Sequence, residues 1–351
     1  IGSGPFLSDV DDNVFLDFGS GVYVTNIGHC HPKVSQAISI EAQKLMNCHD
    51  YITPVKAAYF EKLSNQFEGV YDNIHLYDNG TTAVEMAIKA ARAITGKYEI
   101  ISCFSDHHGK TAGSASLGRL SSIDNIARLP GYYLVPRPNT YRPLWVDSDG
   151  VIDTDQYLSF YDLFIKESTT GDVAAFILEP IQGWGGGIMP PDDFFPKLRK
   201  FCDERGILLI IDEVLTGCGR TGKWLCLDHW DVKADMLIMG KGIANGFPIA
   251  AMITTSNYAE TISKIGPSTS FGGNPMACGA GLATLEVFQD ESILENSTIV
   301  GDYLLNELLK LKSKYSFIGD VRGKGCLLII EFNDEGLSGE MITSLFYHEC
   351  I

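Results

Sequence analysis

Short apolar runs rich in β-branched residues alternate with helix-forming stretches through the middle of the chain. Residues 100–104, 173–178, 207–211, 236–239 and 249–253 read as strands, and residues 82–95, 194–205 and 277–289 as helices. That alternation predicts an α/β core with a largely parallel sheet flanked by helices. The two ends differ from the middle. Asp9-Val-Asp-Asp-Asn13 gives a hairpin-like opening that runs into a loop within residues 1–40, while residues 293–351 give a helix, a strand at 325–332 and a last helix. The ends are expected to pack as one smaller α+β domain, built from residues 1–45 and 291–351, beside a large domain of residues 46–290.

Composition narrows the function classes. The chain has 351 residues, 45% hydrophobic and 20% charged, as an ordinary large globular protein does. A net charge of −17 argues against a nucleic-acid binder. The nine cysteines contain no C-x-x-C pair and read as reduced thiols of a cytoplasmic protein. No apolar stretch approaches the length that spans a bilayer. No signal peptide is visible, although the chain starts at Ile1 without methionine, so a leader could have been lost.

The candidate chemistry starts at Lys241, in Asp235-Met-Leu-Ile-Met-Gly-Lys-Gly-Ile-Ala-Asn-Gly-Phe-Pro248. A lysine at the end of an apolar run is costly to bury as an ammonium, and desolvated lysines are those that form Schiff bases. A second run, Ile207-Leu-Leu-Ile-Ile211, delivers Asp212-Glu213 at its tip. A strand-end lysine and a strand-end aspartate together point to pyridoxal phosphate (PLP), whose ring nitrogen an aspartate pairs with. Asn79-Gly80-Thr81-Thr82 opens a strong helix former, where free N–H groups suit a phosphate, although a plain N-cap explains the same residues. Asp106-His107-His108-Gly109-Lys110-Thr111 follows a strand and offers a planar ring for stacking, or simply two histidines in a polar loop. Glu179 ends a strand before Gly183-Trp-Gly-Gly-Gly187, which lets backbone pass close to a ligand. No histidine–cysteine spacing matches a structural zinc site, and no metal is expected. Gly217-Cys-Gly-Arg-Thr-Gly-Lys223 mimics a nucleotide-binding P-loop, but Trp224 stands where Ser or Thr must hold magnesium. Gly240-Lys-Gly-Ile-Ala-Asn-Gly246 mimics a dinucleotide pattern late in the chain, with a lysine in its first gap.

Six segments in order resemble the class III aminotransferases, PLP enzymes of fold type I. They are Gly19-Ser-Gly-Val-Tyr-Val-Thr-Asn-Ile-Gly-His-Cys-His-Pro-Lys-Val34, the stretch from Asn79 to Arg92, that from Glu179 to Gly187, that from Asp212 to Gly222, Gly240-Lys-Gly242 and Ser270-Phe-Gly-Gly-Asn-Pro275. The resemblance covers essentially the whole chain. It implies that Lys241 holds PLP as a Schiff base and then moves protons, while Asp212 keeps the ring nitrogen protonated. It implies that Val214 packs on one ring face and His107 stacks on the other, and that Gly80 and Thr81 bind the phosphate. Ser270 would reach the phosphate across a subunit boundary, making a homodimer with shared active sites the minimal unit, with tetramers left open. Glu213 would neighbour the cofactor's hydroxyl, and Val22, Tyr23 and Lys110 would line the substrate pocket.

The chain departs from the family in several places. Asn79-Gly-Thr-Thr82 stands for the frequent Ser-Gly-Thr-Glu, His107 for an aromatic, and Leu215 for a glutamine that contacts the cofactor. Lys110 stands where some 4-aminobutyrate aminotransferases carry a carboxylate-binding arginine; a lysine neutralises a carboxylate without the bidentate grip. The family normally continues beyond Ile351 with an arginine that pairs with Glu179, so substrate-selecting residues are expected to lie partly outside this chain. The resemblance thus implies an ω-aminotransferase moving nitrogen from a 4-aminobutyrate-like donor or primary amine to a 2-oxo acid. Within the fold, a dialkylglycine-type decarboxylating aminotransferase is suggested by Val135-Pro-Arg-Pro-Asn-Thr-Tyr-Arg-Pro143 and Ser168-Thr-Thr-Gly-Asp172, and an amino-acid racemase uses the same chemistry. A P-loop nucleotide-binding protein is the reading from a different class.

Overall fold

The computed structural model describes residues 1–118, 127–334 and 336–350. The chain opens with a small antiparallel sheet, β1 (Gly2–Ser3), β2 (Phe6–Ser8) and β3 (Val14–Leu16). Asp9 turns the corner between β2 and β3, its carboxylate accepting from the N–H groups of Asp11 and Asn13 at 2.9 Å each. Beyond it the expected loop is partly a helix, Pro32–Ala42, started by a proline in its first turn and packed on the later helix Pro275–Asp290.

The main sheet has seven strands: β4 (Asn73–Tyr77), β5 (Glu99–Cys103), β6 (Tyr132–Val135), β7 (Val173–Leu178), β8 (Leu208–Asp212), β9 (Met236–Met239) and β10 (Ala250–Thr254). Their order is β4-β10-β9-β8-β7-β5-β6. Neighbours from β6 through β9 are parallel, and β10 is antiparallel to both β9 and β4. The sheet is therefore largely parallel, as the alternating pattern predicts. Period-2 alternation sends each strand's side chains into two separate cores. Phe176, Leu209, Ile211 and Leu237 join one cluster, and Ala175, Ile177, Ile210 and Ile238 the other. Helix Gly80–Thr95 closes the second face with Ala83, Ala87, Ile88 and Ala91. Helix Phe194–Arg205 closes the first with Phe194, Phe195 and Leu198.

The C-terminal part holds one strand more than expected. After helix Ile293–Lys314, β11 (Ile318–Lys324) and β12 (Leu327–Phe332) form an antiparallel hairpin, followed by helix Gly339–Cys350. Buried Arg322 docks this hairpin on the loop that follows β7. Its Nε donates to the Gly187 carbonyl at 2.8 Å and its Nη2 to that of Gly186 at 2.6 Å, while Nη1 pairs with Asp320 and Glu331 at 2.8 and 2.9 Å. Among the described residues no helix is long and apolar enough to cross a membrane.

Candidate active site

Parallel strands deliver their C-terminal ends to one edge, which is where open α/β sheets place ligands. Here that edge carries the turn after β5, Glu179 after β7, Asp212 at the tip of β8, and Gly240-Lys241 after β9. Asp212 is buried; its Oδ1 accepts the Val214 N–H at 3.0 Å and its Oδ2 lies 2.8 Å from Nδ1 of the fully buried His108 ring. Burial opposes a charged His108, but Asp106 and Asp212 on either side outweigh it and raise the imidazole to about 10.

Lys241 begins a single turn, Lys241–Ala244, in which the lysine itself has φ 45° and Asn245 φ 48°. A side-chain-bearing residue held left-handed costs about 1 kcal/mol or more, so the surroundings must impose it. They do so through the opening segment. Ile27 N–H donates to Asn245 Oδ1 at 3.1 Å, Asn245 Nδ2 to the Gly28 carbonyl at 2.8 Å, and Asn26 Nδ2 to the Cys218 carbonyl at 2.8 Å. Arg220 Nη2 donates to Asn26 Oδ1, with the guanidinium 5.8 Å from the Tyr23 ring. Burial pushes the Lys241 amine below its ordinary range; Asp212 and Glu179 pull upward and Arg220 adds to the fall. The result is an amine that is a better nucleophile than a surface lysine.

Helix Gly80–Thr95 points its start at the same edge. Asn79 caps it by accepting the Thr82 N–H at 2.9 Å, so the Gly80 and Thr81 N–H groups make no hydrogen bond among the described residues. A Cβ on Gly80 would lie 3.2 and 3.3 Å from the Val214 methyls, so helix start and Val214 are in close contact. Gly109 has φ 135°, and a Cβ there would overlap the Thr81 hydroxyl, so only glycine lets this turn close over the helix start. His107 is partly buried, its ring centroid 5.9 Å from that of the half-exposed Trp184. Burial, His108 and Lys241 lower its pKa, which favours a neutral ring. Glu179 accepts the His107 N–H at 2.8 Å and the Gly183 N–H at 3.0 Å. Burial, then Asp106 and Asp212, push its carboxyl up to about 8.

Other expected residues lie differently. Glu213 is not at the edge with Asp212: its carboxylate is committed to the Thr216 hydroxyl at 2.5 Å and the Leu227 N–H at 2.8 Å, which removes it from the expected hydroxyl-side position. Leu215 is packed under Gly183. Val22 and Tyr23 sit in a left-handed kink of the opening segment, and Lys110 is exposed beside His107. Ser270 lies on an outer loop, its carbonyl accepting from Asn47 at 3.0 Å, and makes no hydrogen bond to the Lys241–Asp212 group. From the sequence alone, Ser102, Asp106, His108, Gln182, Asn26 and Arg220 carry no individual role in this site. A usable signal was the adjacent His107 and His108, since neighbours along an extended segment point to opposite sides.

The donor set fits pyridoxal phosphate. Two unused N–H groups at the start of a sixteen-residue helix suit its phosphate, and buried Asp212, held by His108, suits the ring nitrogen. Lys241 is an amine made reactive by burial.

Comparison with known proteins agrees with that donor set. A family model described as aminotransferase class-III matches residues 2–348. The chain is 35% identical over 332 residues to a 5-aminovalerate aminotransferase of Pseudomonas putida, covering 93% of this chain and 77% of that protein. It is 34% identical to an alanine/serine racemase of Pyrococcus horikoshii (95% and 72% covered), and 33% identical to a 4-aminobutyrate aminotransferase of Escherichia coli (93% and 77%). Among solved structures, an amine transaminase from an uncultivated Pseudomonas species superposes with a TM-score of 0.88 at 31% identity, over 95% of this chain and 80% of that one.

Proposed function

The chain belongs to the class-III aminotransferases and is a PLP-dependent transaminase, and from that premise we propose that it moves nitrogen from an ω-amino acid of the 4-aminobutyrate kind, or a primary amine, to a 2-oxo acid. The donor class is supported by relatives named for 5-aminovalerate and 4-aminobutyrate. The observation that carries the site assignment is the convergence of a desolvated lysine, a buried aspartate and a helix start at one sheet edge.

When bound, pyridoxal phosphate supplies an electrophilic carbonyl for the amine and a protonated ring that accepts electron density from the adjacent carbon. Gly80 and Thr81 would hold the phosphate by N–H donation. Asp212 would hold a proton at the ring nitrogen. Val214 and neutral His107 would pack on opposite faces of its ring, with Trp184 backing His107. Lys241 Nζ would hold the cofactor's carbonyl carbon and, when an amine takes its place, would be the base that moves a proton between the nitrogen-bearing carbon and the neighbouring position. Glu179 stands ready to pair with a cation, since an unpaired buried carboxylate keeps its proton. Lys110 offers charge to a donor carboxylate, and Val22 and Tyr23 shape the pocket. Ser270 contributes to a partner's phosphate site in a homodimer; the exposed Phe271 beside it supports a contact there. We place the enzyme in the cytoplasm, in keeping with its free cysteines.

Racemisation is the second reading, favoured by the 34% identity to the alanine/serine racemase. One experiment separates the two: visible spectra of the PLP-loaded protein with 4-aminobutyrate, then with 2-oxoglutarate. A band that bleaches and returns supports ω-transamination. An unresponsive band, with loss of optical activity in L-alanine without any oxo acid, supports the racemase instead.

A further inference from the structure

Behind Asp212 the buried polar chain continues past His108, and its far end has no part in the chemistry above. Ser102 Oγ donates to Asp106 Oδ2 at 3.0 Å and stands 3.1 Å from His108 Nε2. Asp106 also accepts the Cys103 N–H at 3.0 Å and the Gln182 amide at 2.7 Å, so all of these contacts use it as an acceptor. A hydroxyl has one proton to give. With that proton on Asp106, Ser102 meets His108 only as an acceptor, so Nε2 carries hydrogen. At the other edge Nδ1 lies 2.8 Å from Asp212 Oδ2, and a carboxylate only accepts. Both ring nitrogens are therefore donors, which defines an imidazolium.

We propose that Asp106, both directly at 3.7 Å and through Ser102, is a positioning residue that locks His108 in its doubly protonated form and so sets a positive charge beside the Asp212 carboxyl that faces the cofactor's ring nitrogen. Asp106 and Asp212 flank the ring, Glu179 keeps its proton until about pH 8, and His107 would oppose the charge if it were protonated. Without the Asp106 charge, the Ser102 hydroxyl is free to turn its proton onto Nε2. His108 then needs only its Nδ1 proton to reach Asp212, and a neutral imidazole sets no charge beside that carboxyl. Ser102, Asp106 and His108 are fully or almost fully buried, so bulk water does not substitute for the missing charge.

The consequence for the ring nitrogen rests on the proposed role of Asp212, but the protonation state of His108 is measurable apart from it. The test is nitrogen-15 NMR of histidine-labelled enzyme, loaded with PLP and stripped of it, across a pH series. Wild-type His108 is expected to show two protonated nitrogens up to a midpoint near pH 10. Asp106→Asn should lower that midpoint by about 1–3 pH units, and Ser102→Ala, which keeps the acid and removes only the bridge, should lower it by less. The visible band of the loaded Asp106→Asn enzyme should lose its pH independence over the same interval. A wild-type His108 with one protonated nitrogen at neutral pH overturns the proposal without any variant, so misfolding of Asp106→Asn does not shelter it. An unmoved midpoint in folded Asp106→Asn or Ser102→Ala overturns it as well. If the stripped protein behaves as expected and PLP does not bind, the cofactor reading fails and the His108 assignment stands.

Discussion

Replacing Glu213 by glutamine should stabilise the protein above neutral pH. The Glu213 side chain is fully buried, and its hydrogen bonds from Thr216 and Leu227 favour the charged form. Burial nevertheless wins and raises the carboxyl from an ordinary 4.5 to about 7. An unfolded chain releases this proton near 4.5, whereas the folded protein holds it until about 7. Between those values the native state binds more protons, so stability falls as pH rises, then stays level above 7. At 1.36 kcal/mol per pH unit, the loss across that interval is about 3 kcal/mol. Glutamine keeps an oxygen for the Leu227 N–H, can donate to the Thr216 hydroxyl, and does not titrate. Urea unfolding of stripped wild type and Glu213→Gln, followed by tryptophan fluorescence from about pH 5 to pH 8, reads the difference directly, since all other titrations cancel. The variant should gain about 3 kcal/mol on the wild type by pH 8. Parallel curves over that range would refute the reasoning.

Lys241→Ala should bind PLP without its wild-type visible band and lose at least about 10²-fold to 10⁴-fold in kcat; spectra and steady-state rates check both. Gly80→Ala sets a Cβ 3.2 Å from Val214, and an overpacking cost of about 1–3 kcal/mol should weaken PLP binding about ten- to hundredfold, measured by fluorescence titration of the stripped enzyme. Arg322→Met removes the cation shared by Asp320, Glu331 and the Gly186 and Gly187 carbonyls, and should cost about 3 kcal/mol in urea unfolding.

The parts of the fold that were legible are those whose residues are apolar on both sides. Val173–Leu178 and Met236–Met239 are buried at every position, so their limits could be read directly. Asn73–Tyr77 was passed over because it is an edge strand with asparagine and histidine on its half-exposed positions. Ile318–Lys324 was missed because Gly319, Asp320, Arg322 and Gly323 break its apolar pattern, and Arg322 reads as surface until its carbonyl partners are known. In the site, residues at strand tips were legible by position: Lys241, Asp212 and Glu179. The partners of those residues were not. His108 and Asp212 are 104 residues apart, and Asp106 and Gln182 are 76 apart; such pairings exist only once the sheet has set its strand order.

The hydrogen bonds that tie Ile27 and Gly28 to Asn245 have a consequence for biosynthesis. They join positions 218 and 217 residues apart, and they support the left-handed turn that begins at Lys241. At about 5–20 residues per second, the opening segment leaves the ribosome roughly 10–40 s before its partner does. Throughout that interval its backbone groups and apolar side chains have no docking surface, so this early-made segment settles late. Reactive geometry at the lysine thus appears only after nearly the whole sheet has been synthesised, and a nascent chain stalled before Asn245 holds no assembled site.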